Sequence, residues 1–336
     1  MTALRTRGGL LAVAVAAVLV VAIGLAAAGA FGGRDQTARK AGRPSAAVSR
    51  TAHGAVAYVL AKTFATSVHP RAADTWGEIE ARELVFNAFQ QYGYFPRTQE
   101  FIAGSPRGRV HSANIIAVKE GESAKRLIVG AHYDSASVGE GYSDNATGTG
   151  LLLETAARIK SQNAPYTIVF VAFGAEEKGL LGSCYYMRTM SDLERRATIG
   201  MIDLDAVAGG AALSVTSRFG GPTWLHDDAL TAAKSLGIPL GASPAGKGRP
   251  AGVSMAPSDD EPFALEDIAT AAFTATDWTA DDTGLSATGG GGRLWHSRKD
   301  TVAFIDRSSP GRVRRQLADL SRLLETLLTS KLEKRP

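Results

Sequence analysis

Five stretches of this chain gather imidazoles and carboxylates: AHYDS from Ala131 to Ser135, SDNATGTG from Ser143 to Gly150, GAEEKGLLGS from Gly174 to Ser183, IDLDAVAGG from Ile202 to Gly210, and LWHSRKDT from Leu294 to Thr301. In chain order they offer His132, Asp144, Glu177, Asp205 and His296. Neutral imidazoles and ionised carboxylates are donors that zinc accepts. Glu176 sits beside the set as a further carboxylate that is not needed to hold metal. A metal cluster with a spare carboxylate is equipment for hydrolysis, because the metal polarises and the carboxylate moves protons. One catalytic zinc usually takes three protein ligands, so this many donors suit a pair of ions. Asp144, Glu177, Asp205 and one hydroxide would offset the charge of two zincs, with His132 and His296 as neutral donors. Asp134 and Asp203 are rivals, for Asp144 and Asp205 respectively.

The elements that must position these residues can be read from apolar runs at Asn114 to Val118, Leu127 to Ala131, Thr167 to Phe173 and Ile199 to Leu204, with a weaker one at Ile268 to Thr276. They are continuous rather than alternating, which suits strands covered on both faces. A helix is expected over Gly150 to Lys160, and another after Pro310 with Val313, Leu317, Leu320, Leu324 and Leu327 on one side. Thr75 and Glu78 have capping-box spacing ahead of Ala81, Leu84, Val85, Ala88, Phe89 and Tyr92, and Gly93 is a natural stop. Strands alternating with helices indicate an α/β sandwich. His132, Glu176, Glu177 and Asp205 then lie at or just beyond strand ends, and Asp144 lies in the loop before a helix. In open α/β sheets the crevice outside the carboxyl ends of strands is where function collects.

The 336 residues, 45% hydrophobic and 21% charged, suffice for a sizeable globular core. A net charge of +4 without a basic stripe interleaved with aromatics argues against a nucleic-acid partner. The single cysteine, Cys184, cannot form an internal disulfide and reads as a small buried apolar side chain. His53, His69, His111 and His226 lack motif context and read as helix-surface, turn or loop residues. No G-x-S-x-G elbow supports a serine hydrolase. Arg5 and Arg7 precede a charge-free run from Gly8 to Gly33, long enough to span a bilayer. Its length favours a retained anchor, while Ala28-Gly29-Ala30 is a small-x-small cleavage pattern. Residues 1–33 are therefore expected to be a signal anchor or cleaved signal, 34–50 a linker and 51–336 the catalytic domain. The domain is expected outside the cytoplasm, membrane-tethered if the segment is kept and secreted if it is cut. Gly- and Pro-rich stretches at 241–257 and 283–293 read as loops around the cleft mouth.

AHYDS, SDN, GAEE-x-GLLGS and WHS-x-x-DT, in this order, resemble the co-catalytic zinc exopeptidases of the bacterial leucyl-aminopeptidase type, a family that includes glutaminyl cyclases. The likeness runs roughly from His69 to Asp306. It implies a three-layer α/β sandwich with a central mixed, mostly parallel sheet flanked by helices, and two zinc ions per chain. It implies that Asp144 bridges the ions, that His132 and Asp205 complete one and Glu177 and His296 the other, and that Glu176 is the general base. Asp134 would orient His132, and Asp205 is preferred over Asp203. The activity implied is that of a metallo-aminopeptidase, in which a zinc-bound hydroxide attacks the N-terminal peptide bond and Glu176 passes a proton to the leaving amine. The substrate is a peptide; the sequence is silent on oligomeric state. A glutaminyl cyclase on the same scaffold is the alternative, and a non-catalytic binding domain a third reading that Glu176 argues against. Two positions depart from the family pattern. Trp295 stands where many family peptidases carry Tyr, and an indole N–H donates but cannot accept. SDDEPF, Ser258 to Phe263, puts Asp260 where a histidine is more usual.

Overall fold

A computed structural model of the chain describes residues 47–105, 108–218, 220–243, 251–254, 257–276 and 294–332. The N-terminal segment, most of the linker, the 283–293 stretch and much of the 241–257 loop lie outside these residues. Among the described residues no helix is long and apolar enough to cross a membrane.

The sheet contains β1 (Arg97–Ser105), β2 (Gly108–Lys119), β3 (Ser123–His132), β4 (Tyr166–Phe173), β5 (Thr198–Leu204), β6 (Ala212–Arg218), β7 (Leu240–Ala242), β8 (Val253–Ser254) and β9 (Ala269–Thr276). Its order is β1-β2-β4-β3-β5-β9-β6-β7, with β8 paired to β6. The centre, from β4 through β3 and β5 to β9, is parallel. The β1–β2, β2–β4 and β6–β9 pairs are antiparallel. This is the mixed, mostly parallel sheet expected.

β4 shows why the central runs read as continuous. All of its residues are buried, with Tyr166, Ile168, Phe170 and Ala172 in one core and Val169, Val171 and Phe173 in the other. The larger core packs α1 (Ala55–Ser67), α2 (Trp76–Gln91), α3 (Gly148–Ile159), α6 (Trp224–Ser235), α8 (Val302–Ser308) and α9 (Arg312–Thr329). The smaller holds the inner side of α4 (Leu181–Thr189) and α7 (Glu261–Ala264). Helix α5 (Asp192–Ala197) leads into β5, opened by a capping box between Ser191 and Glu194. Burying strands on both faces is what a sandwich of helices around a parallel sheet requires. Fully buried Glu154 locks α1, α3 and α9 together: it accepts from the Gly54 and Ala57 N–H groups at 2.7 Å, from Ser321 at 2.7 Å and from Arg158 at 2.6 Å. The otherwise orphaned donors at the start of α1 are satisfied this way.

Four strands escape a reading based on apolar runs. β1 and β7 lie at the sheet's ends, β8 is two residues long, and β6 alternates apolar residues with buried hydroxyls such as Ser214 and Thr216. Three local expectations also change. The Thr75 hydroxyl turns back to donate to Ala72 O at 2.6 Å, so no capping box forms. Cys184 is exposed, because α4 turns Gly182, Ser183, Tyr186 and Met187 inward instead. Val48, within the expected linker, is fully buried in the larger core.

Glu78, freed from the capping box, accepts from the Asp74 N–H at 2.7 Å and from the Ser112 hydroxyl. Burial, reinforced by the charge of Asp134, pushes its pKa from 4.5 up to about 7. The folded state therefore holds this proton more tightly than the unfolded chain, and stability falls as pH rises from 4.5 to about 7. Replacing Glu78 with Gln should remove that slope from the variant, so the stability difference between variant and parent in urea unfolding should change with pH across this range, moving in the variant's favour as pH rises. A difference that stays flat with pH would contradict the assignment.

Candidate metal centre and its setting

The expected residues come together on the rim at the carboxyl ends of β3, β4 and β5. His132 is the last residue of β3, and Asp205 directly follows β5. Glu176 and Glu177 open a single turn of 3-10 helix, Glu176–Lys178, just past β4. Asp144 lies in the turn Tyr142–Thr147 ahead of α3, and His296 precedes α8. His132 Nε2 is 3.3 Å from both Asp144 Oδ1 and Asp205 Oδ1. His296 Nε2 is 3.3 Å from Asp144 Oδ2 and 2.8 Å from Glu177 Oε2. Two donor groups result, His132–Asp144–Asp205 and Asp144–Glu177–His296, and each brings its ligand atoms within 4.8 Å of one another. Asp144 belongs to both, using one oxygen for each.

Sharp backbone turns aim these groups. Ala175, Ala206 and His296 have φ of 57, 48 and 52°, a left-handed conformation that costs a non-glycine residue energy and persists where surroundings enforce it. Ala206 adjoins the donor Asp205, His296 is itself a donor, and Ala175 opens the glutamate turn. The enforcing bonds come from the motif neighbours. Asp134 accepts the N–H groups of Glu176 at 3.0 Å and Glu177 at 3.2 Å. It is also 3.5 Å from His132 Nδ1, too long for a well-formed hydrogen bond, so its firmer hold is on the glutamate turn. Asp300 accepts the N–H groups of Ser143 at 2.7 Å and Asp144 at 3.1 Å. Asn145 donates to Leu204 O at 2.8 Å and accepts from Gly148 N at 3.0 Å and Ala206 N at 3.2 Å, tying the Asp144 turn to the end of β5. A Cβ on Gly148 would lie 2.2 Å from Leu204 O, which explains the glycine.

Arg71 completes the setting. It is fully buried and donates to Tyr133 O at 3.0 Å, Phe64 O at 3.2 Å, Glu140 O at 3.0 Å and Gly141 O at 2.8 Å. Burial lowers its pKa to about 10, against the pull of Asp300, Asp134, Asp144 and Glu177. It remains a cation and ties the residue after His132 to the loop that leads into the Asp144 turn.

The metal-free side chains carry more negative charge than they can hold. Burial, with Asp259, Asp205 and Glu177 nearby, raises the Glu176 pKa well above the carboxylate range. Glu177 is raised by burial and by Asp144, and Asp300 is pushed up to about 7 by burial and Asp144. Burial opposes ionisation of Asp144, but hydrogen bonds from His132 and His296 hold it well below its usual range. Hydrogen bonds to Asp144 and Glu177 push His296 up to about 10. His132 rises as well, since Glu176, Asp134, Asp144 and Asp205 outweigh burial.

Residues 114–321 match the family described as Peptidase family M28. The chain belongs to that family, and it is a hydrolase. It is 30% identical over 310 residues to the alkaline phosphatase isozyme conversion protein of Escherichia coli, covering 82% of this chain and 90% of that one. It is 36% identical over 134 residues to Aminopeptidase YwaD of Bacillus subtilis, covering 38% of this chain and 30% of the relative. A zinc aminopeptidase from Bacillus subtilis shares the fold at a TM-score of 0.67 and 18% identity, covering 81% of this chain and 94% of that one. The glutaminyl cyclase of Porphyromonas gingivalis does so at 0.66 and 20%, covering 82% and 98%.

The residues that depart from the M28 pattern have definite surroundings. Asp260 is fully buried, accepts from Arg218 Nε at 2.8 Å and from its Nη2, and belongs to neither donor group. Its neighbour Asp259, not singled out by its sequence, is fully buried, and burial pushes it up to about 7. Only its charge influence on Glu176 and its place in SDDEPF mark it. Asp203 lies 2.7 Å from the Ser258 hydroxyl, which also reaches Asp205 Oδ2 at 3.0 Å, so the rival of Asp205 acts on it through a shared hydroxyl. The Trp295 Nε1 is buried and, among the described residues, has no hydrogen-bond partner. Of the other histidines, His226 is buried on α6 beside Asp227, and His53 meets Glu325 at 2.9 Å.

Removing Asp260 leaves the Arg218 cation without its main buried counter-charge. Asp260→Ala should lower unfolding stability by about 3–5 kcal/mol. Divalent-metal binding, measured under native conditions, should stay unchanged because Asp260 is in neither donor group. Unaltered stability, or a loss of metal, would contradict this placement.

Proposed function

We propose that the chain is a zinc-dependent aminopeptidase that holds two ions and removes N-terminal residues from peptides. The observation that carries the reading is the pair of donor groups meeting at Asp144, with Glu176 beside them and in neither. The residues fit divalent cations. Carboxylates are crowded and several hold protons tightly for want of positive charge, and Glu177 Oε1 is buried without a partner among the described residues. In this reading His132 and Asp205 serve one ion, Glu177 and His296 the other, and Asp144 both. When bound, zinc polarises the scissile carbonyl and makes water a nucleophile near neutral pH.

The chain's own residues do the rest. Asp134 fixes the backbone of the glutamate turn, so Glu177 turns to metal while Glu176 stays free. Glu176 Oε2 lies 4.0 Å from His132 Nε2, within reach of anything held between the donors. Belonging to neither donor group, it is the carboxylate left to accept a proton from water and return it to the leaving amine. Asp300, Asn145 and Arg71 keep the Asp144 turn in place. The aminopeptidase names of relatives and the zinc aminopeptidase with this fold support the choice. The cyclase reading keeps one specific support, buried Asp259 beside Glu176, since moving a proton between two nitrogens also uses acids. We also infer, from the charge-free run at 8–33, that the domain works outside the cytoplasm.

A panel of aminoacyl fluorogenic amides, with N-terminal glutamine peptides as the cyclisation control, tests the activity. Chelation should abolish amide hydrolysis, and full recovery should need two equivalents of zinc. Recovery with one, or cyclisation without hydrolysis, would favour the cyclase. Glu176→Gln should retain both ions by elemental analysis and lose about 10²–10⁴-fold in kcat. Parallel loss of metal would remove Glu176 from the role of base.

A further inference from the structure

We propose that the groove between α2 and β1 is the subsite for substrate residues beyond the scissile bond, so that the enzyme acts on extended peptides in preference to short ones. The proposal rests on the peptidase reading and names where its substrate lies.

A cleft of about 710 Å³ opens between Trp76, Ile79 and Arg82 of α2, Glu100 and Ile102 of β1, and Tyr185 of α4. A second hollow of about 370 Å³ shares Arg82 and Glu100 and continues to Phe86 and Asn87. From Trp76 to Asn87 the helix rises about 16 Å, which accommodates about five residues of extended chain.

Its position follows from the sheet. β2 runs antiparallel to both β1 and β4, so the end of β1 and the start of β2 lie on the same rim as Glu176. The order β1-β2-β4-β3-β5 then lines up the cleft, the glutamate turn, His132 and Asp205 in sequence along that rim. Phe101 and Tyr185 stack at 5.2 Å beside the cleft and pack with Ala175, the residue before Glu176. Glu176 must reach the leaving amine to return its proton. The C-terminal part of the substrate therefore departs from the Glu176 end of the donor row, the side on which Ala175 packs against the Phe101–Tyr185 pair that lines the cleft.

The groove has the chemistry for an extended peptide. Trp76 is 72% and Ile102 47% exposed, apolar surface that a peptide would cover. β1 has β2 on one side and, among the described residues, no strand on the other, so its outer main-chain groups can pair with an added strand. Asp74 and Glu100 line the cleft together with Arg82, so charges of both signs border it and the contact would favour chain length over a charged sequence.

The test compares kcat/KM for an aminoacyl amide, which ends short of the groove, with a hexapeptide carrying the same first residue. The hexapeptide should be at least about tenfold better, since one tenfold step needs only about 1.4 kcal/mol of added contact. Trp76→Ala and Ile102→Asp should each remove most of that advantage and change the amide by less than about twofold. A hexapeptide no better than the amide, or variants that slow both substrates alike, would overturn the proposal. If the parent enzyme cleaves neither substrate, the peptidase reading fails by itself. Anisotropy of a fluorescein-labelled hexapeptide then still reads the groove: about tenfold weaker binding by Trp76→Ala supports it, and equal affinity overturns it.

Discussion

Like charges confined to one small, partly dry space are the constraint on which this molecule's organisation depends. Asp134, Asp144, Glu176, Glu177, Asp205, Asp259 and Asp300 influence one another at a single rim of the sheet. Carboxylates this close cannot all ionise without compensation. The protein itself supplies little: two histidines whose protons are held tightly by the acids around them, and one buried arginine bonded to carbonyls rather than to any carboxylate. Charge of this kind would be selected against if stability alone mattered. It makes sense where divalent cations restore the balance.

The supporting residues divide into those that hold backbone and those that hold charge. Asp134 and Asp300 each bind two successive N–H groups, one pair at the glutamate turn and one at the Asp144 turn. Main-chain donors are fixed in direction, so a carboxylate that accepts two of them sets the orientation of the peptide between them, and with it the adjoining side chains. Asn145 performs the complementary task, bridging the Asp144 turn to the end of β5. The donors therefore belong to one connected frame, although they come from segments far apart in the chain.

Much of this frame is legible in the sequence, and the exceptions have physical reasons. The donors stand out because each closes an apolar strand or sits in a compact polar word, and strand ends are where an α/β sheet exposes chemistry. Asp300 and Asn145 lie inside the same words, yet their roles are bonds to main-chain atoms, which no side-chain pattern encodes. Arg71 gives no signal at all, since it acts by collecting carbonyls from Phe64, Tyr133, Glu140 and Gly141. Thr75 and Glu78 have the right spacing for a cap, but Ser112 on a distant strand offers Glu78 a buried partner, and the tertiary contact prevails. β1 and β6 escaped because edge position and buried hydroxyls blur the apolar pattern.

A scaffold shared by a zinc aminopeptidase and a glutaminyl cyclase leaves the reaction to be decided by the site. Both reactions need a carboxylate that accepts and returns a proton, so Glu176 alone does not separate them. What separates them is whether water must be activated, and how much metal the donors can hold. Asp144 bears directly on this. Its Oδ1 faces His132 and its Oδ2 faces His296, each at 3.3 Å, so its two oxygens are divided between the donor groups. The proposed paired centre makes use of that division, because each ion would then find one oxygen of the same carboxylate. The arrangement of this one aspartate suits a paired centre, and a paired centre suits hydrolysis.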